Sequence, residues 1–302
     1  MKSIREEIEQ LKEEKNAVIL AHYYVPEEVQ EIADYIGDSY YLAKKAKETK
    51  AEVIVFAGVS FMGESAKILN PSKKVLMPDA DADCAMAHMA SIEKVKEMRE
   101  KYEDLAVVCY INSTAKLKTV SDVCVTSSNA VKIVKALPNK NIFFIPDGNL
   151  GAYVAEQVPE KHVILNDGYC PVHKEIAPQI LKEAKEKYPN AKVLVHPECM
   201  QEVLKMADFT GSTSEIIQYA ETSLEKEFLI GTEEGVLYEL KKKCPEKTFH
   251  CVRKGQCCPD MKKVTLEKVR DSLKYGSHEV QVSRDISEKA LKALDKMLEL
   301  AK

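Results

Sequence analysis

The chain has 302 residues and a formal net charge of −4, with 45% hydrophobic and 30% charged residues. That balance excludes an intrinsically disordered chain. The absence of a basic block argues against a nucleic acid or an anionic membrane as partner. No apolar run reaches the roughly 18 residues that a membrane span needs. The opening Met1-Lys2-Ser3-Ile4-Arg5-Glu6-Glu7 is charged and helix-like, unlike a leader. The expected location is therefore the cytoplasm. In that compartment disulfides are disfavoured, so nine cysteines point to metal binding or redox chemistry. Two of them, Cys109 and Cys124, lie inside apolar strand-like runs and read as small buried residues.

Hydrophobic periodicity predicts alternating helices and short apolar strands along the whole chain. The first stretch gives a helix at 3–15, a strand at 17–22, helices at 27–36 and 39–48, a strand at 52–57, a helix at 63–69 and a strand at 74–77. The second gives a helix at 91–102, strands at 105–111 and 122–125, a helix at 128–137, a strand at 141–145, a helix at 149–157 and a strand at 162–165. The third gives helices at 175–187, 199–206, 213–221 and 234–243 among strands at 192–196, 208–210, 227–230 and 248–251. A helix at 264–274, a strand at 278–282 and a helix at 285–301 end the chain. Continuous apolar strands alternating with helices read as parallel sheets covered on both faces.

The pattern repeats. Ala17-Val18-Ile19-Leu20-Ala21-His22 corresponds to Leu105-Ala106-Val107-Val108-Cys109-Tyr110 and to Lys192-Val193-Leu194-Val195-His196. The last residues of these runs are 88 and 86 apart (110 − 22 and 196 − 110). Each copy then has an Asp-containing second element (Asp34, Asp122, Asp208), a third strand ending in a Gly-containing turn, and a closing cysteine. The expected fold is α/β: three homologous three-layer αβα domains with parallel sheets, related by pseudo-threefold symmetry around a central active site. The domains are placed at 1–90, completed by 265–302, then 91–176 and 177–264.

Ligands in such sheets bind beyond the carboxyl ends of the strands. The first strand of each copy ends there in His22-Tyr23-Tyr24, Tyr110-Ile111-Asn112 or His196-Pro197-Glu198. Ser39, Ser127 and Thr213 head the following helices, where a hydroxyl either caps the helix or joins its N–H groups in an anion site. Cys84, Cys170 and Cys258 recur at intervals of 86 and 88 (170 − 84 and 258 − 170). Three thiolates from three domains suit zinc or an iron–sulfur cluster, and the paired Cys-x-x-Cys spacing of structural zinc sites is absent. A [4Fe–4S] cluster normally takes four thiolates, so three leave one iron open as a Lewis acid.

These motifs, in order, resemble the quinolinate synthase family from Asn16 to Lys263. They include Ala21-His22-Tyr23-Tyr24, Gly37-Asp38-Ser39, Tyr110-Ile111-Asn112-Ser113-Thr114, Thr126-Ser127-Ser128-Asn129, Pro146-Asp147-Gly148, Cys170-Pro171-Val172-His173, His196-Pro197-Glu198 and Gly211-Ser212-Thr213. The resemblance implies an enzyme of NAD biosynthesis. Such an enzyme condenses iminoaspartate with dihydroxyacetone phosphate to give quinolinate, phosphate and water. It also implies a [4Fe–4S] cluster on Cys84, Cys170 and Cys258, and an enzyme elsewhere that produces the iminoaspartate. His22, Ser39, Tyr110, Asn112, Ser127, His196, Glu198 and Thr213 match substrate-binding positions of the family, and Tyr24 and His173 match further active-site positions. Glu198 is the expected general acid/base, assisted by Tyr110, Tyr24, His22, His196 and His173. Tyr23 stands where the family often has Asn. Cys258 is preferred to its neighbour Cys257 because Cys-Pro-Asp-Met-Lys fits the family's spacing. The competing reading is a three-cysteine [4Fe–4S] enzyme of reductive dehydroxylation. A zinc protein and a non-enzymatic scaffold of α/β repeats are the others.

Overall fold

The computed structural model describes residues 3–302; Met1 and Lys2, part of the charged opening and of the first expected domain, lie outside them. Twelve strands form three four-stranded parallel sheets. The first holds β1 (Ala17–His22), β2 (Tyr35–Gly37), β3 (Val53–Ala57) and β4 (Lys74–Leu76). The second holds β5 (Leu105–Tyr110), β6 (Val123–Val125), β7 (Asn141–Ile145) and β8 (His162–Leu165). The third holds β9 (Lys192–Val195), β10 (Phe209–Thr210), β11 (Glu227–Gly231) and β12 (Thr248–Cys251). All three share one order, β2-β1-β3-β4, β6-β5-β7-β8 and β10-β9-β11-β12. The register repeats as well: Ala21 faces Ala57, Cys109 faces Ile145, and Val195 faces Gly231. The residue after each of these positions is His22, Tyr110 or His196.

The recurring aspartate has a structural role. Asp34, Asp122 and Asp208 each accept the backbone N–H of a first-strand residue (Ile19, Val107 and Val193) at 2.8, 2.7 and 2.8 Å. Each returns its own N–H to the carbonyl of that residue. This exchange turns the chain into the edge strand, two or three residues long, and sets where that strand ends.

Two expectations fail locally. The segment 27–36 is a helix only over Glu27–Gln30 and then turns into β2. A three-residue edge strand is too short to show alternation. The segment 278–282 forms no strand; Glu279 makes a single antiparallel bridge to Leu76, and His278 has a φ of 57°. The N–H of Val280 bonds the Val75 carbonyl at 2.8 Å, so this stretch ties down the edge of the first sheet.

Packing differs among the three units. One continuous apolar core runs through the first two sheets and the terminal helices, where Leu266–Tyr275 packs on Ile4–Lys15 and Arg284–Leu300 packs on Ser60–Leu69, Ala130–Ala136 and β6. The third sheet has a separate core on each face, with Val193 and Val195 on one side and Leu194, Phe228 and Ile230 on the other.

Candidate active site

The strand ends converge on one cavity of about 680 Å³, counting its mouth. His22 and Tyr24 reach it from the first sheet, Tyr110 and Asn112 from the second, and His196 and Glu198 from the third. Ser39, Ser127 and Thr213 line it, as do Cys84, Cys170, Cys258 and His173. Cys257 does not.

Glu198 is the hub. Only 4% exposed, it accepts from the Tyr110 hydroxyl at 2.5 Å, and its other oxygen lies 2.7 Å from Nδ1 of His173. Burial opposes its ionisation, but the His173 ring and the Tyr110 hydroxyl outweigh that and hold the carboxyl below its ordinary range. Nε2 of His173 meets the Thr232 hydroxyl at 2.9 Å. Thr232 in turn meets the Tyr24 hydroxyl at 2.7 Å, and Tyr24 reaches Thr213 at the same distance. A continuous polar chain therefore joins Tyr110 to Thr213 through Glu198, His173, Thr232 and Tyr24.

The two strand-end histidines share a local motif. Nδ1 of His22 accepts the N–H of Tyr24 at 3.2 Å, and Nδ1 of His196 accepts the N–H of Glu198 at 3.3 Å. An acceptor Nδ1 assigns the ring proton to Nε2 and disfavours imidazolium. Burial acts the same way, and both histidines are lowered to about 3. His196 also stacks on His173, with ring centroids 4.8 Å apart.

At the helix heads, capping falls to neighbouring residues. Asp38 caps Ser39–Glu48 by accepting the Tyr41 N–H at 2.9 Å, and Ser212 caps Thr213–Thr222 with Glu215 in a capping box. Ser39 and Thr213 are thus the first helical residues, with hydroxyls free of the capping role. Ser127 lies in the turn before Ala130–Ala136, where Asn129 accepts the Thr126 N–H at 2.7 Å. Among the described residues no lysine or arginine lines the cavity.

Comparison with known proteins decides the family. The quinolinate synthetase A protein family matches residues 6–299. Quinolinate synthase of Caldicellulosiruptor bescii is 56% identical over 297 residues, covering 98% of each chain. That of Fusobacterium nucleatum is 54% identical, and that of Clostridioides difficile 53%, each covering 99% of both chains. The chain belongs to the quinolinate synthase family.

The cysteines of this quinolinate synthase family member fit a shared metal centre. Each sits just before a short helical turn: Ala85–His88, Pro171–Lys174 or Met261–Lys263. The N–H groups of the following turn, Met86 and Ala87 at Cys84, His173 at Cys170, and Asp260 and Met261 at Cys258, favour the thiolate electrostatically. Burial nonetheless pushes all three thiols up, Cys84 to about 12. Three neighbouring buried thiols ionise together only around a multivalent cationic centre. Ligand atoms of Cys170, His173 and Glu198 also lie within 4.8 Å of one another, so the metal region borders the Glu198 hub. All nine cysteines are free, and no helix among the described residues is long and apolar enough to cross a membrane.

Several residues in or behind the cavity wall escaped sequence reasoning. Glu233, fully buried, pairs with Lys262 at 2.8 Å, accepts the Cys258 N–H at 3.0 Å and that of Gly235 at 2.6 Å, and thus braces the third cysteine turn. Lys262 also holds the Tyr24 carbonyl at 2.7 Å. Thr232 completes the polar chain. The only sequence signal for Glu233 is its position after the third strand of its copy, where the second copy has Asp147.

Proposed function

We propose that the protein is a quinolinate synthase in the full chemical sense. It joins iminoaspartate to dihydroxyacetone phosphate and releases phosphate and water, as a step toward NAD in a reducing cytoplasm. One observation carries this reading: an ionised, buried Glu198, held between Tyr110 and His173, shares a cavity with three cysteine turns from three sheets.

Cys84, Cys170 and Cys258 would hold a [4Fe–4S] cluster. When bound, it supplies one iron without a protein ligand as a Lewis acid for a hydroxyl that must leave. The chain's own residues do the rest. Glu198 takes and returns protons at the carbons that form and rearrange the ring, because it is ionised and its conjugate acid has a hydrogen-bonded outlet through Tyr110. His22 and His196 are neutral Nε2–H donors, suited to polarising carbonyl and carboxylate oxygens. Tyr24, fixed by Thr213 and Thr232, presents a phenol whose ionisation burial strongly opposes, so it acts as a donor. Ser39, Ser127 and Asn112 bind carboxylate and phosphate oxygens. The buried carbonyl oxygen of the Asn112 side chain has no partner among the described residues, which suits a substrate N–H or O–H donor.

Enclosure protects the imine, which hydrolyses in water. It also suits rapid delivery by the enzyme that produces iminoaspartate. The test is anaerobic purification with iron and sulfide analysis, followed by an assay for quinolinate from the two substrates. Stoichiometric cluster with quinolinate formation supports the reading. Cluster-loaded protein that forms no quinolinate overturns it.

A further inference from the structure

Each carbonyl of the turn Tyr23-Tyr24-Val25 is taken by a side chain. The amide nitrogen of Gln30 lies 2.9 Å from the Tyr23 carbonyl and 3.0 Å from that of Val25, and the Lys262 ammonium donates to the Tyr24 carbonyl at 2.7 Å. Gln30 also reaches the Gly235 carbonyl at 3.1 Å, which draws the third unit against this turn. The approach is close, since a Cβ at Gly235 would lie 2.6 Å from the Tyr23 carbonyl oxygen and 2.8 Å from the Tyr24 Cα. Lys262 itself belongs to the short helical turn Met261–Lys263 that follows Cys258. Its second partner is Oε1 of Glu233 at 2.8 Å, and the same oxygen accepts the Cys258 N–H at 3.0 Å. Oε2 of Glu233 accepts the Gly235 N–H at 2.6 Å. One ammonium and one carboxylate oxygen therefore join the backbone of Tyr24 to the backbone of Cys258. Glu233 is 0% exposed, so its charge depends on the cation beside it.

We infer that the Lys262–Glu233 pair couples the turn carrying Tyr24 to the turn carrying Cys258 across the seam between the first and third units, making Lys262 a positioning residue for the reaction proposed above. Tyr24 is then held at both ends by the third unit. Its hydroxyl meets Thr213 and Thr232 at 2.7 Å each, its carbonyl meets Lys262, and Thr232 is the chain neighbour of Glu233. A residue anchored at its backbone and at its phenol keeps one pose, whereas the phenol contacts alone leave the backbone free to tilt. Tyr24, Glu233 and Cys258 line the active cavity. Lys262 does not; it lines a groove on the outer side of the wall with Val25, Pro26 and Lys241, and its side chain is 27% exposed. It therefore acts through Tyr24 and the third cysteine turn and not on substrate.

The inference rests on the proposed reaction for its kinetic part only. The experiment uses the anaerobically purified full chain, wild type and two variants: Lys262→Met and Glu233→Gln/Lys262→Met. Backbone hydrogen exchange reads the coupling directly. In Lys262→Met the amides of 23–25 and of 257–258 should both exchange faster than in the wild type, while those of the β1 core at 18–20 stay unchanged. Unchanged exchange, or a rise in one of the two turns only, would overturn the coupling. Lys262→Met strands a buried carboxylate, so the double variant should melt at or above it; additive losses of melting temperature would overturn the pair. If Lys262→Met does not fold, the double variant, which lacks the ammonium but strands no charge, carries the same exchange and kinetic expectations. For positioning, Lys262→Met should lose about tenfold to a hundredfold in kcat. KM should stay within about threefold. Wild-type kcat, or a loss confined to KM, would overturn the positioning role. A wild-type enzyme that forms no quinolinate would instead defeat the proposed function, and the exchange comparison, which needs no turnover, would still decide the coupling.

Discussion

The two strand-end histidines make acid stability a direct readout of the site. His22 and His196 are lowered to about 3 by burial, and each commits Nδ1 to a backbone N–H. In the unfolded chain each titrates near 6.5. The unfolded state therefore binds protons first, so stability is complete above about pH 6.5 and falls as pH drops toward the folded values, by up to about 1.4 kcal/mol per pH unit for each histidine. Integrated to about pH 5, each histidine costs about 2 kcal/mol, and the pair about 4 kcal/mol. That is a large share of a typical total of about 5–15 kcal/mol. The assay is urea unfolding of anaerobic protein at pH 7.5 and pH 5, with iron content checked at both, for the wild type, His22→Gln and His196→Gln. Glutamine keeps an acceptor for the N–H but takes up no proton. Each variant should lose about 2 kcal/mol less than the wild type between the two conditions. Equal losses in all three proteins would refute the assignment of neutral, proton-excluding rings.

Three further outcomes are expected. Cys258→Ser should lose the charge-transfer absorbance and iron of the anaerobic protein while Cys257→Ser keeps both, because only Cys258 lines the cavity; the opposite pattern would move the third ligand. Glu198→Gln should lower kcat by about 10²- to 10⁴-fold at unchanged iron content, the range removed with a general acid/base, and activity near wild type would remove Glu198 from that role. Gly168→Ala should cost about 1–3 kcal/mol in thermal unfolding, since a Cβ there would run into the Pro146 carbonyl and the Met89 side chain two residues before Cys170; an unchanged melting temperature would mean that the 146–148 and 166–168 loops are not locked together.

Repetition made most of the architecture legible. Strand runs such as Val107-Val108-Cys109 are too apolar to be anything but buried, and three copies in one order fix which strands are equivalent. The edge strand β2 was hidden because three residues carry no periodicity, and a hydrogen-bonding aspartate, not hydrophobic pattern, sets its position. The C-terminal segment misled for the converse reason. His278-Glu279-Val280-Gln281-Val282 alternates like a strand, but it makes only one bridge to the edge of the first sheet. In the site, residues at equivalent strand ends could be found by counting. Glu233 and Thr232 were harder to find, because the equivalent turn is Gly58-Val59 in the first copy and Pro146-Asp147 in the second, so only Glu233 has a polar counterpart.

The charge pattern of the cavity then bears on how the proposed reaction is driven. Glu198 carries a negative charge, Glu233 is matched by Lys262, both strand-end histidines are neutral, and no lysine or arginine lines the wall among the described residues. In the proposed reaction the donors left for anionic substrates are neutral: hydroxyls at Ser39, Ser127 and Thr213, ring N–H groups, and the turn before Ala130–Ala136. Fixed cations at those positions would bind carboxylate and phosphate more tightly in the ground state, and they would also quench the basicity of Glu198 by the same Coulomb attraction. Neutral donors aimed at oxygen in a water-poor cavity give up some ground-state affinity, but they add nothing to the lowering of Glu198 that His173 and Tyr110 already impose, and they stabilise charge where it develops. Among the described residues, a wall without lysine or arginine thus suits proton transfer in the proposed reaction more than tight capture.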